Sequence, residues 1–366
     1  NFTVFFGIFL VSMLFVPPSM PFMVPEAEAV SGTFTITDGT DGGDCTSIGT
    51  WNSGSKTCTV TATITGNIII GSDGITLDGN GKTFTGIKQG GTSLLVLDKS
   101  NVTIKNFQFT KNYAGNGFKV IESNNVVISG NSFTTSGGKS GGLQVGENSS
   151  NVQVTGNTFS VKSTGLYVYK PGTGVSVTGN TLNSQGGNGE LFQLRSDSPA
   201  TVSGNTFNGI ASYERGLAIY KINNVAGGHN INNNSFSGSG VGIIFFNSGS
   251  NTVTGNSFSN LANAIDFGTC CGGSLTNSNT FSGNTFSGNS YDYYPSEPEA
   301  EAAESSDTTP PTVTVPSNST SSTSNSAGKT MTFTVTASDD VGVTSGPTCS
   351  PSSGYNFSVG TTTVTC

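Results

Sequence analysis

Apolar and polar residues alternate along this chain in short runs that recur at a nearly fixed spacing. Apolar residues two positions apart, which place one face of a strand inward, stand just before the phrase Gly130-Asn131-Ser132-Phe133 and its copies. The apolar residue that ends each phrase returns in steps of 22 to 29 residues. Its positions are Phe84, Phe109, Phe133, Phe159, Leu182, Phe207, Phe236, Phe258 and Phe286. A beat of this period indicates a stacked-repeat fold.

Each repeat also carries a second, richer apolar run, exemplified by Leu94–Leu97, Leu166–Tyr169 and Ile243–Phe246. No segment after Val30 shows a capped helical period of 3.6 residues, so only strands and turns remain. Propeller blades and hairpins require antiparallel returns, and a leucine-rich horseshoe requires a consensus that is absent here. The pattern therefore predicts an all-β fold, a right-handed single-stranded parallel β-helix. Eight or nine coils at about 4.8 Å each give a rod of roughly 40 Å.

In such a rod, equal positions of successive repeats form columns. The asparagine of each phrase is expected to stack into a ladder of side-chain amides, because asparagine tolerates left-handed turns and an amide both donates and accepts hydrogen bonds. The ladder consists of Asn131, Asn157, Asn180, Asn205, Asn234, Asn256 and Asn284. We expect its role to be structural.

Several motifs resemble those of the pectate-lyase-like right-handed β-helix superfamily. They are the isoleucine run 68–70, the turn 74–81 (Gly-Ile-Thr-Leu-Asp-Gly-Asn-Gly) and the recurring Asn-Val-x-Ile…Gly-Asn-x-Phe beat. The resemblance covers roughly residues 56–290. It implies the fold but not the activity, because the superfamily includes lyases, hydrolases, epimerases, adhesins and inert scaffolds.

The amino-terminal residues 1–29 are predicted to be a signal peptide. Residues 2–16 form an uncharged apolar run that prolines end, and Ala27-Glu28-Ala29 fits a small-residue cleavage site. The run is short for a spanning helix, which needs about 20 residues. A retained membrane anchor is the alternative. Residue 1 is Asn and no basic leader is visible, so we expect sequence to be missing before it.

Six cysteines are typical of an oxidising, extracellular compartment. Cys45 and Cys58 bracket a loop before the first coil, and we expect a disulfide that staples it. Adjacent Cys270 and Cys271 would either bridge each other or pair elsewhere. A metal site at this pair is disfavoured, because no histidine or further cysteine lies near it.

The content of charged residues limits which classes of partner the protein can bind. Only 10% of the residues are charged and the net charge is −8. Nucleic acid is therefore excluded as a partner, since phosphate binding needs clustered lysine and arginine. A polysaccharide or a cell-surface protein remains, with membrane contact only through an anchor.

Composition changes after residue 290. An acidic linker is predicted over 291–306, between the β-helix at 30–290 and a module at 307–366. That module resembles an HYR (hyalin repeat) domain through the Asp-x-x-Pro-Pro opening at 307–311, the stretch 335–339 and the stretch 359–366. The resemblance implies an immunoglobulin-like β-sandwich, a Cys349–Cys366 disulfide and a role in adhesion or spacing. Such a domain continues further, so we expect sequence to be missing after residue 366.

Alignment of the richer runs predicts an aromatic exterior face, and a contiguous apolar patch on an exterior usually marks an interaction site. The face comprises Tyr167, Tyr169, Phe192, Leu194, Tyr220, Ile244 and Phe246. Aromatic rings suit the C–H groups of sugars, and tyrosine hydroxyls add hydrogen bonds. The alternative is that a segment of the same chain covers this face.

A column that changes sign is predicted beside the aromatic face. Its members are Asp98, Glu122, Glu147, Lys170, Arg195, Lys221, Asn247 and Thr269. Stacked like charges repel, so three cations in a row suggest a site for an anion such as a uronate carboxylate or a sulfate. The alternative is a solvated strand edge. The predicted ligand-binding residues are thus Tyr167, Tyr169, Lys170, Phe192, Arg195, Tyr220, Lys221 and Phe246.

The sequence shows no clear set of catalytic residues for the hydrolysis or the elimination of a polysaccharide. A glycoside hydrolase needs two acidic groups facing one bond, but Glu190, Asp197, Glu214 and Asp266 fall in different columns. A lyase needs a base and charge neutralisation of a carboxylate, often by Ca²⁺. The cations Lys170, Arg195, Arg215 and Lys221 would supply the base, but no acidic cluster for Ca²⁺ lies beside them. No catalytic residue is assigned.

Two further motifs have a structural and a chemical interpretation. The sole histidine, His229, falls in the inward column of Val126, Val152, Val175 and Ala200, so we expect it to be buried and hydrogen-bonded rather than catalytic. Asp38, Asp41 and Asp44 share a glycine-rich loop and form a weak candidate Ca²⁺ site. Asp-Gly turns account for the same pattern. No cofactor is otherwise predicted.

The sequence thus favours a secreted or cell-surface β-helix protein that binds carbohydrate or a surface partner through the aromatic face, with the HYR module as an adhesive spacer. A polysaccharide lyase or glycoside hydrolase acting on the same face is the first alternative. A purely structural surface rod is the second.

Overall fold

A computed structural model describes residues 29–86, 92–111, 115–135, 140–221, 227–268, 279–295, 311–339 and 346–366. Strands dominate these residues, and the single helix among them has 4 residues. The strands stack in parallel into a right-handed solenoid of about 8 turns. The predicted fold class, an all-β parallel β-helix, is therefore confirmed.

The elements follow one another as three strands per coil after a short amino-terminal cap. The cap and the first coil contain β1 (Val30–Ile36), α1 (Cys45–Ile48), β2 (Gly49–Asn52), β3 (Thr57–Val60), β4 (Ile64–Ile70), β5 (Thr76–Asp78) and β6 (Thr83–Gly86). The next four coils contain β7 (Leu94–Leu97), β8 (Thr103–Lys105), β9 (Gln108–Lys111), β10 (Gly115–Ile121), β11 (Val127–Ser129), β12 (Ser132–Thr135), β13 (Ser140–Val145), β14 (Gln153–Thr155), β15 (Thr158–Val161), β16 (Leu166–Tyr169), β17 (Val175–Thr178) and β18 (Thr181–Ser184).

The remaining strands complete the rod and the carboxy-terminal region. The later coils contain β19 (Glu190–Arg195), β20 (Ala200–Ser203), β21 (Thr206–Ile210), β22 (Arg215–Tyr220), β23 (Asn230–Asn232), β24 (Ser235–Gly238), β25 (Val241–Phe246), β26 (Thr252–Thr254), β27 (Ser257–Ser259), β28 (Asn263–Asp266), β29 (Thr280–Ser282), β30 (Thr285–Ser287) and β31 (Tyr291–Tyr294). The last strands are β32 (Thr312–Thr314), β33 (Lys329–Thr330), β34 (Thr336–Ser338) and β35 (Asn356–Phe357).

Three parallel ladders form the walls of the rod. The A ladder runs through β4, β7, β10, β13, β16, β19, β22, β25, β28 and β31. The B ladder runs through β3, β5, β8, β11, β14, β17, β20, β23, β26 and β29, and the C ladder through β6, β9, β12, β15, β18, β21, β24, β27 and β30. A and C both grow from β4, which pairs with β6 through Ile64 and with β7 through Ile68.

The apolar beat fills the centre of the rod. The side chains of alternate residues point inward from each strand, and the phenylalanines that end the phrases stack on one another along the axis. Ring centroids lie 4.7 Å apart for Phe133–Phe159 and 4.5 Å apart for Phe207–Phe236. This stacking fixes the coil-to-coil register, because a slip of one residue would expose every inward side chain of a strand.

The predicted asparagines lie in the turn between the B and C ladders and form a hydrogen-bonded column. Asn157 donates through Nδ2 to Oδ1 of Asn180 (3.0 Å) and to the carbonyl of Ile128 (2.9 Å), while its own Oδ1 accepts from both nitrogens of Asn131 (2.9 and 3.0 Å). The same bonds recur up to the Asn256–Asn284 pair. The preceding glycine has φ near +63° in most coils, a conformation that glycine adopts without strain.

The amino-terminal cap is closed covalently. A disulfide joins Cys45, at the start of α1, to Cys58 in β3, and both residues are fully buried. The antiparallel β2–β3 pair and the parallel pairing of β1 with β4 seal this end. Cys270 and Cys271 lie outside the described residues, as do residues 1–28, which contain most of the predicted signal peptide.

The carboxy-terminal region is built differently. Strands β32 and β34 form one antiparallel pair and β33 and β35 another, and a disulfide joins Cys349 to Cys366. An immunoglobulin-like sandwich of these pairs stays a prediction. At the predicted linker, β31 pairs in parallel with β28, so the last described coil includes Tyr291–Tyr294, beyond the expected boundary at residue 290.

Candidate functional site

The outward residues of the A ladder form two columns whose register differs from the sequence prediction. The first column contains Leu95, Lys119, Gln144, Tyr167, Gln193, Ala218, Ile244, Asp266 and Tyr294. The second contains Tyr169, Arg195, Tyr220 and Phe246. Tyr167, Tyr169, Tyr220 and Phe246 therefore lie on one exterior face, as the sequence indicated.

Two residues assigned to the aromatic face are wrong. Phe192 and Leu194 point into the core and are fully buried, because Phe192 pairs with Leu166 and Leu194 with Val168. The sequence alignment placed Phe192 beside Tyr167, one residue away from its true register. Since side chains alternate between the two faces of a strand, that shift moved both residues to the wrong side. Phe192 is a core residue and not a ligand-binding one.

The predicted row of three cations is also wrong. The same shift moves Arg195 into the aromatic column, where it pairs with Tyr169 and Tyr220. Lys170 and Lys221 instead begin the turns that follow β16 and β22, and their backbone nitrogens donate to the carbonyls of Arg195 (2.8 Å) and Phe246 (3.0 Å). The cations therefore flank and interrupt the rings rather than forming a separate column.

We call Tyr169, Arg195, Tyr220 and Phe246 the ring–cation column. The guanidinium carbon of Arg195 lies 4.0 Å from the ring centroid of Tyr220, and the rings of Tyr220 and Phe246 stack at 4.4 Å with an interplanar angle of 18°. Such contacts between a cation and a ring face are attractive, and more so where water is partly excluded. All four residues are half-buried.

This stacking changes what the rings present to solvent. Arg195 and Phe246 contact the ring of Tyr220, so that ring offers its edge and hydroxyl rather than a free face. Burial, reinforced by the neighbouring Glu190 carboxylate, raises the pKa of Tyr220 to about 12. The ring of Tyr220 therefore does not favour the stacking of sugar faces that the sequence suggested. The column favours hydrogen bonds and charge interactions along its exposed edge instead.

Glu190 anchors the polar groups beside the column. Its carboxylate accepts hydrogen bonds from the hydroxyl of Tyr220 (2.9 Å), from Nη1 of Arg215 (3.3 Å) and from the amide of Gln193. Arg215 also lies 5.6 Å from the ring centroid of Phe246. Sequence reasoning treated Glu190 as an isolated acid and missed Gln193. The signal that was available is the pairing of Glu190 with Arg215 at one repeat's distance.

Two tyrosines extend the face toward the amino-terminal coils. The rings of Tyr167 and Tyr169 lie 5.6 Å apart, and Nζ of Lys170 lies 5.5 Å from the Tyr169 ring centroid. Burial raises the pKa of Tyr167, and the positive charge of Arg195 opposes that rise. Arg195 is thus close enough to influence both outward columns.

The outward positions beyond Tyr220 differ in exposure. Ala218 and Ile244 are buried although their strand positions face outward, so Ile244 is not part of an exposed apolar patch. Asp266 accepts hydrogen bonds from Nδ2 of Asn263 (2.9 Å) and from the backbone of Gly268 (2.8 Å). Its carboxylate is therefore held by its own strand end.

The remaining acidic residue of interest has a structural role. Glu214 is almost fully buried, and its carboxylate accepts from the backbone nitrogens of Gly187 (2.8 Å) and Ala211 (2.9 Å) and from the hydroxyl of Ser184. These bonds fasten two neighbouring turns. Because Glu214 is enclosed and Glu190 is already paired with Arg215, the two do not form the opposed pair that glycoside hydrolysis requires.

His229 lies in the core, in line with Ala200. Its Nδ1 accepts from the backbone nitrogen of Ala200 (3.1 Å), and its own backbone nitrogen donates to Oδ1 of Asn251 (2.9 Å). Asn251 in turn bonds to Asn279 (2.9 Å), so a second, shorter ladder begins at His229. Burial lowers the pKa of His229 to about 4. The position fits the structural interpretation.

Two of the three aspartates of the amino-terminal loop bond to different parts of the cap. Asp38 pairs with Lys56 (3.1 Å), and Asp44 accepts from the backbone nitrogen of Thr35 (2.8 Å). Across the residues that the structure describes, no group of three or more histidine, cysteine, aspartate or glutamate side chains is placed to hold a metal ion.

Three family models match parts of the sequence. The model described as the right handed beta helix region matches residues 46–207, that of the periplasmic copper-binding protein NosD matches 147–321, and that of the HYR domain matches 306–366. Together with the fold, these matches confirm the resemblance to right-handed β-helix repeats followed by an HYR module. The HYR match is short and lies at the carboxyl end.

Several solved structures are similar to this chain at low identity. The catalytic domain of a GH87 alpha-1,3-glucanase in complex with nigerose is 12% identical, with a TM-score of 0.44, over 74% of this chain and 61% of that domain. PfbA, a surface adhesin of Streptococcus pneumoniae, is 14% identical (TM-score 0.35; 72% of this chain, 80% of the adhesin). The A-module of the Azotobacter vinelandii mannuronan C-5 epimerase AlgE6 is 9% identical (TM-score 0.22; 74% and 88%). This chain spans about three fifths of the GH87 domain.

No curated protein matches the chain. Among the described residues, no helix has the length and apolar character needed to cross a bilayer. The two disulfides are typical of a compartment outside the reducing cytoplasm, and together with the HYR and NosD matches they point to an extracellular or periplasmic location. The chain is thus a parallel β-helix with a strip of aromatic and charged residues on its A ladder and an HYR-matching region at its carboxyl end.

Proposed function

We propose that this protein is a secreted or cell-surface β-helix protein that binds carbohydrate or a surface partner through the ring–cation column and its neighbours. The observation that supports this is the column itself. Tyr169, Arg195, Tyr220 and Phe246 occupy successive coils and put aromatic edges, a hydroxyl and a guanidinium on one half-buried strip. A saccharide chain laid along the rod axis would meet one such group per coil, about every 4.8 Å.

The site departs from the ordinary exterior of this rod. Outward residues of the C ladder are serine, threonine, asparagine and glutamine throughout. Ordering an aromatic or arginine side chain costs more conformational entropy than ordering a small polar one, and exposure to solvent does not offset that cost. The concentration of these residues on strands β16, β19, β22 and β25 therefore supports a binding role for that strip.

Binding is tested with the purified chain on a panel of immobilised neutral and acidic polysaccharides. The variant Tyr220→Ala removes the centre of the column, and Tyr213→Ala serves as the matched control because Tyr213 is 83% exposed in a turn of the same coil. We expect at least one glycan to bind and Tyr220→Ala to weaken it about tenfold, which corresponds to roughly 1.4 kcal/mol. Equal loss in the two variants, or no binding of any glycan by the parent protein, would contradict carbohydrate binding and leave a surface protein as the partner to test.

Catalysis on the same face is the competing function. A lyase that used Tyr220 as its base would need a lowered pKa, whereas the pKa of Tyr220 is raised to about 12. Glu190, the nearest acid, already accepts from Arg215 and Tyr220. We therefore favour binding without turnover. Incubation with pectins, alginates and glycosaminoglycans tests this, since any release of unsaturated or reducing ends that Arg195→Ala abolishes would favour the enzyme.

The carboxy-terminal region fits the same proposal. Its HYR match and the Cys349–Cys366 disulfide support a role as an adhesive spacer that holds the β-helix away from a surface. The predicted division into a signal peptide at 1–29, a β-helix at 30–290, a linker at 291–306 and an HYR module at 307–366 belongs to this proposal. Because β31 pairs with β28 as a strand of the rod, we propose a linker that starts after residue 294.

A further inference from the structure

The two arginines of the A ladder have similar surroundings but different counter-ions. Both guanidinium groups lie over an aromatic ring, Arg195 at 4.0 Å from the centroid of Tyr220 and Arg215 at 5.6 Å from that of Phe246. Arg215 forms an ion pair with Glu190 (3.3 Å). For Arg195, no carboxylate lies within ion-pair distance in the described chain, and its Nε is buried without a hydrogen-bond acceptor there.

The acid beside the ring–cation column is engaged elsewhere. Glu190 accepts from Gln193, Arg215 and Tyr220. The fold thus places the guanidinium of Arg195 next to an acid that already has three donors, and Arg195 has no carboxylate partner of its own in the described chain.

A buried donor without an acceptor is unfavourable, and the cost is greater for a charged group. A guanidinium whose face is stacked on a ring keeps its planar edge available, and that edge matches the two oxygens of a carboxylate or a sulfate. Lys170 begins the turn on the preceding coil, where its backbone nitrogen donates to the carbonyl of Arg195, and adds a second positive charge one coil away.

We propose that Arg195 is the receptor for an oxyanion of the ligand, so that the bound carbohydrate is acidic and carries a uronate carboxylate or a sulfate ester. This rests on the proposed function, because it assigns a substrate class to the same strip. Glu190 acts as a positioning residue: it holds Arg215 and the hydroxyl of Tyr220 and forms no ion pair with Arg195, whose charge is then left for the anion.

Affinity for matched pairs of glycans tests the inference. Polygalacturonate is compared with its fully methyl-esterified form, and dextran sulfate with dextran, so that each pair differs in the anion alone. The two pairs also separate a carboxylate from a sulfate. We expect the full chain to bind at least one acidic member at least tenfold more tightly than its neutral partner.

Variants then locate the anion. Arg195→Gln should remove the preference, so that the acidic and the neutral member of a pair bind with equal affinity, and Arg195→Lys, which keeps the charge but not the planar edge, should retain part of the preference. Lys162→Gln, which removes an exposed cation at the end of β15, should leave the preference intact. Melting temperatures of all three variants check folding.

The outcomes separate the two proposals. Equal affinity for the acidic and neutral members, with Tyr220→Ala still weakening both, would overturn the anion receptor and keep the carbohydrate site. An equal loss in Arg195→Gln and Lys162→Gln would show non-specific attraction and also overturn it. Failure of the parent chain to bind any glycan would overturn both the anion receptor and the carbohydrate site.

Discussion

Two columns rise along this rod with one residue per coil, and they differ in every other respect. The buried asparagine column repeats the same residue from Asn131 to Asn284, and each amide bonds to the next. The ring–cation column holds four residues of three kinds and ends after four coils. The repeated column supplies what every coil needs, which is a satisfied turn. The ring–cation column, which is irregular, is not required for the geometry of a coil. Its residues are therefore explained by the function of the protein rather than by its fold.

The outward face of the C ladder completes the contrast. Its first column reads Thr83, Gln108, Ser132, Thr158, Thr181, Thr206, Ser235, Ser257 and Thr285, in register over nine strands. Small polar residues satisfy an exposed parallel ladder without charge or aromatic rings. The ring–cation column is therefore not a general property of this exterior.

The largest effect is expected where the repeated column is interrupted. Asn180→Ala removes the acceptor of both nitrogens of Asn157 and a donor to the carbonyl of Val154, all of them buried. Unpaired buried groups cost about 1–3 kcal/mol each, so we expect a loss of roughly 4 kcal/mol and a fall of the unfolding midpoint in urea. Circular dichroism measures it.

Asn183→Ala is the matched control, because Asn183 faces outward three residues later and bonds to Asn208 (3.0 Å). A loss below about 0.5 kcal/mol is expected there, as for most surface substitutions. If the two variants were equally stable, the column would not be the source of coil stability.

His229 introduces a titratable group into the shorter ladder. We therefore expect the stability of the fold to depend on pH, with the second largest effect after Asn180→Ala. Its pKa is about 4 in the folded state, below the ordinary 6.5, so the unfolded chain binds the proton more readily between these values. Its contribution is fully present above pH 6.5, is lost as the pH falls toward 4, and changes no further below that. The total is on the order of 3 kcal/mol.

The variant His229→Asn tests this, because an asparagine would continue the amides of Asn251 and Asn279 without a titrating group. Melting temperatures between pH 4 and 8 should fall more steeply with acidification in the parent protein than in the variant. Parallel curves would show that His229 does not couple folding to protonation.

The sequence predicted most of the repeated part and little of the irregular part. The apolar beat identified the coils and the asparagine turn because each signal recurs, so an error at one repeat is corrected by its neighbours. The irregular strip had no such check. In β19 the alignment matched Tyr167 with Phe192 rather than Gln193, and that single step misplaced Phe192 and Arg195. Contacts across coils, such as Glu190 with Tyr220, depend on side-chain directions that no repeat encodes.

The smallest effect on stability is expected at Glu190, although the variant probes the irregular column directly. Glu190→Gln removes the charge and keeps an acceptor for Tyr220 and a shape close to the original. Its ion pair with Arg215 is partly exposed, so a change below about 1 kcal/mol is expected. The pKa of Tyr220 should fall from about 12, because the carboxylate contributes to raising it. An NMR titration of a selectively labelled tyrosine measures this shift, with Tyr213 as the internal control. Should the pKa of Tyr220 stay where it is, Glu190 would not organise the strip, and the irregular column would consist of independent side chains rather than one site.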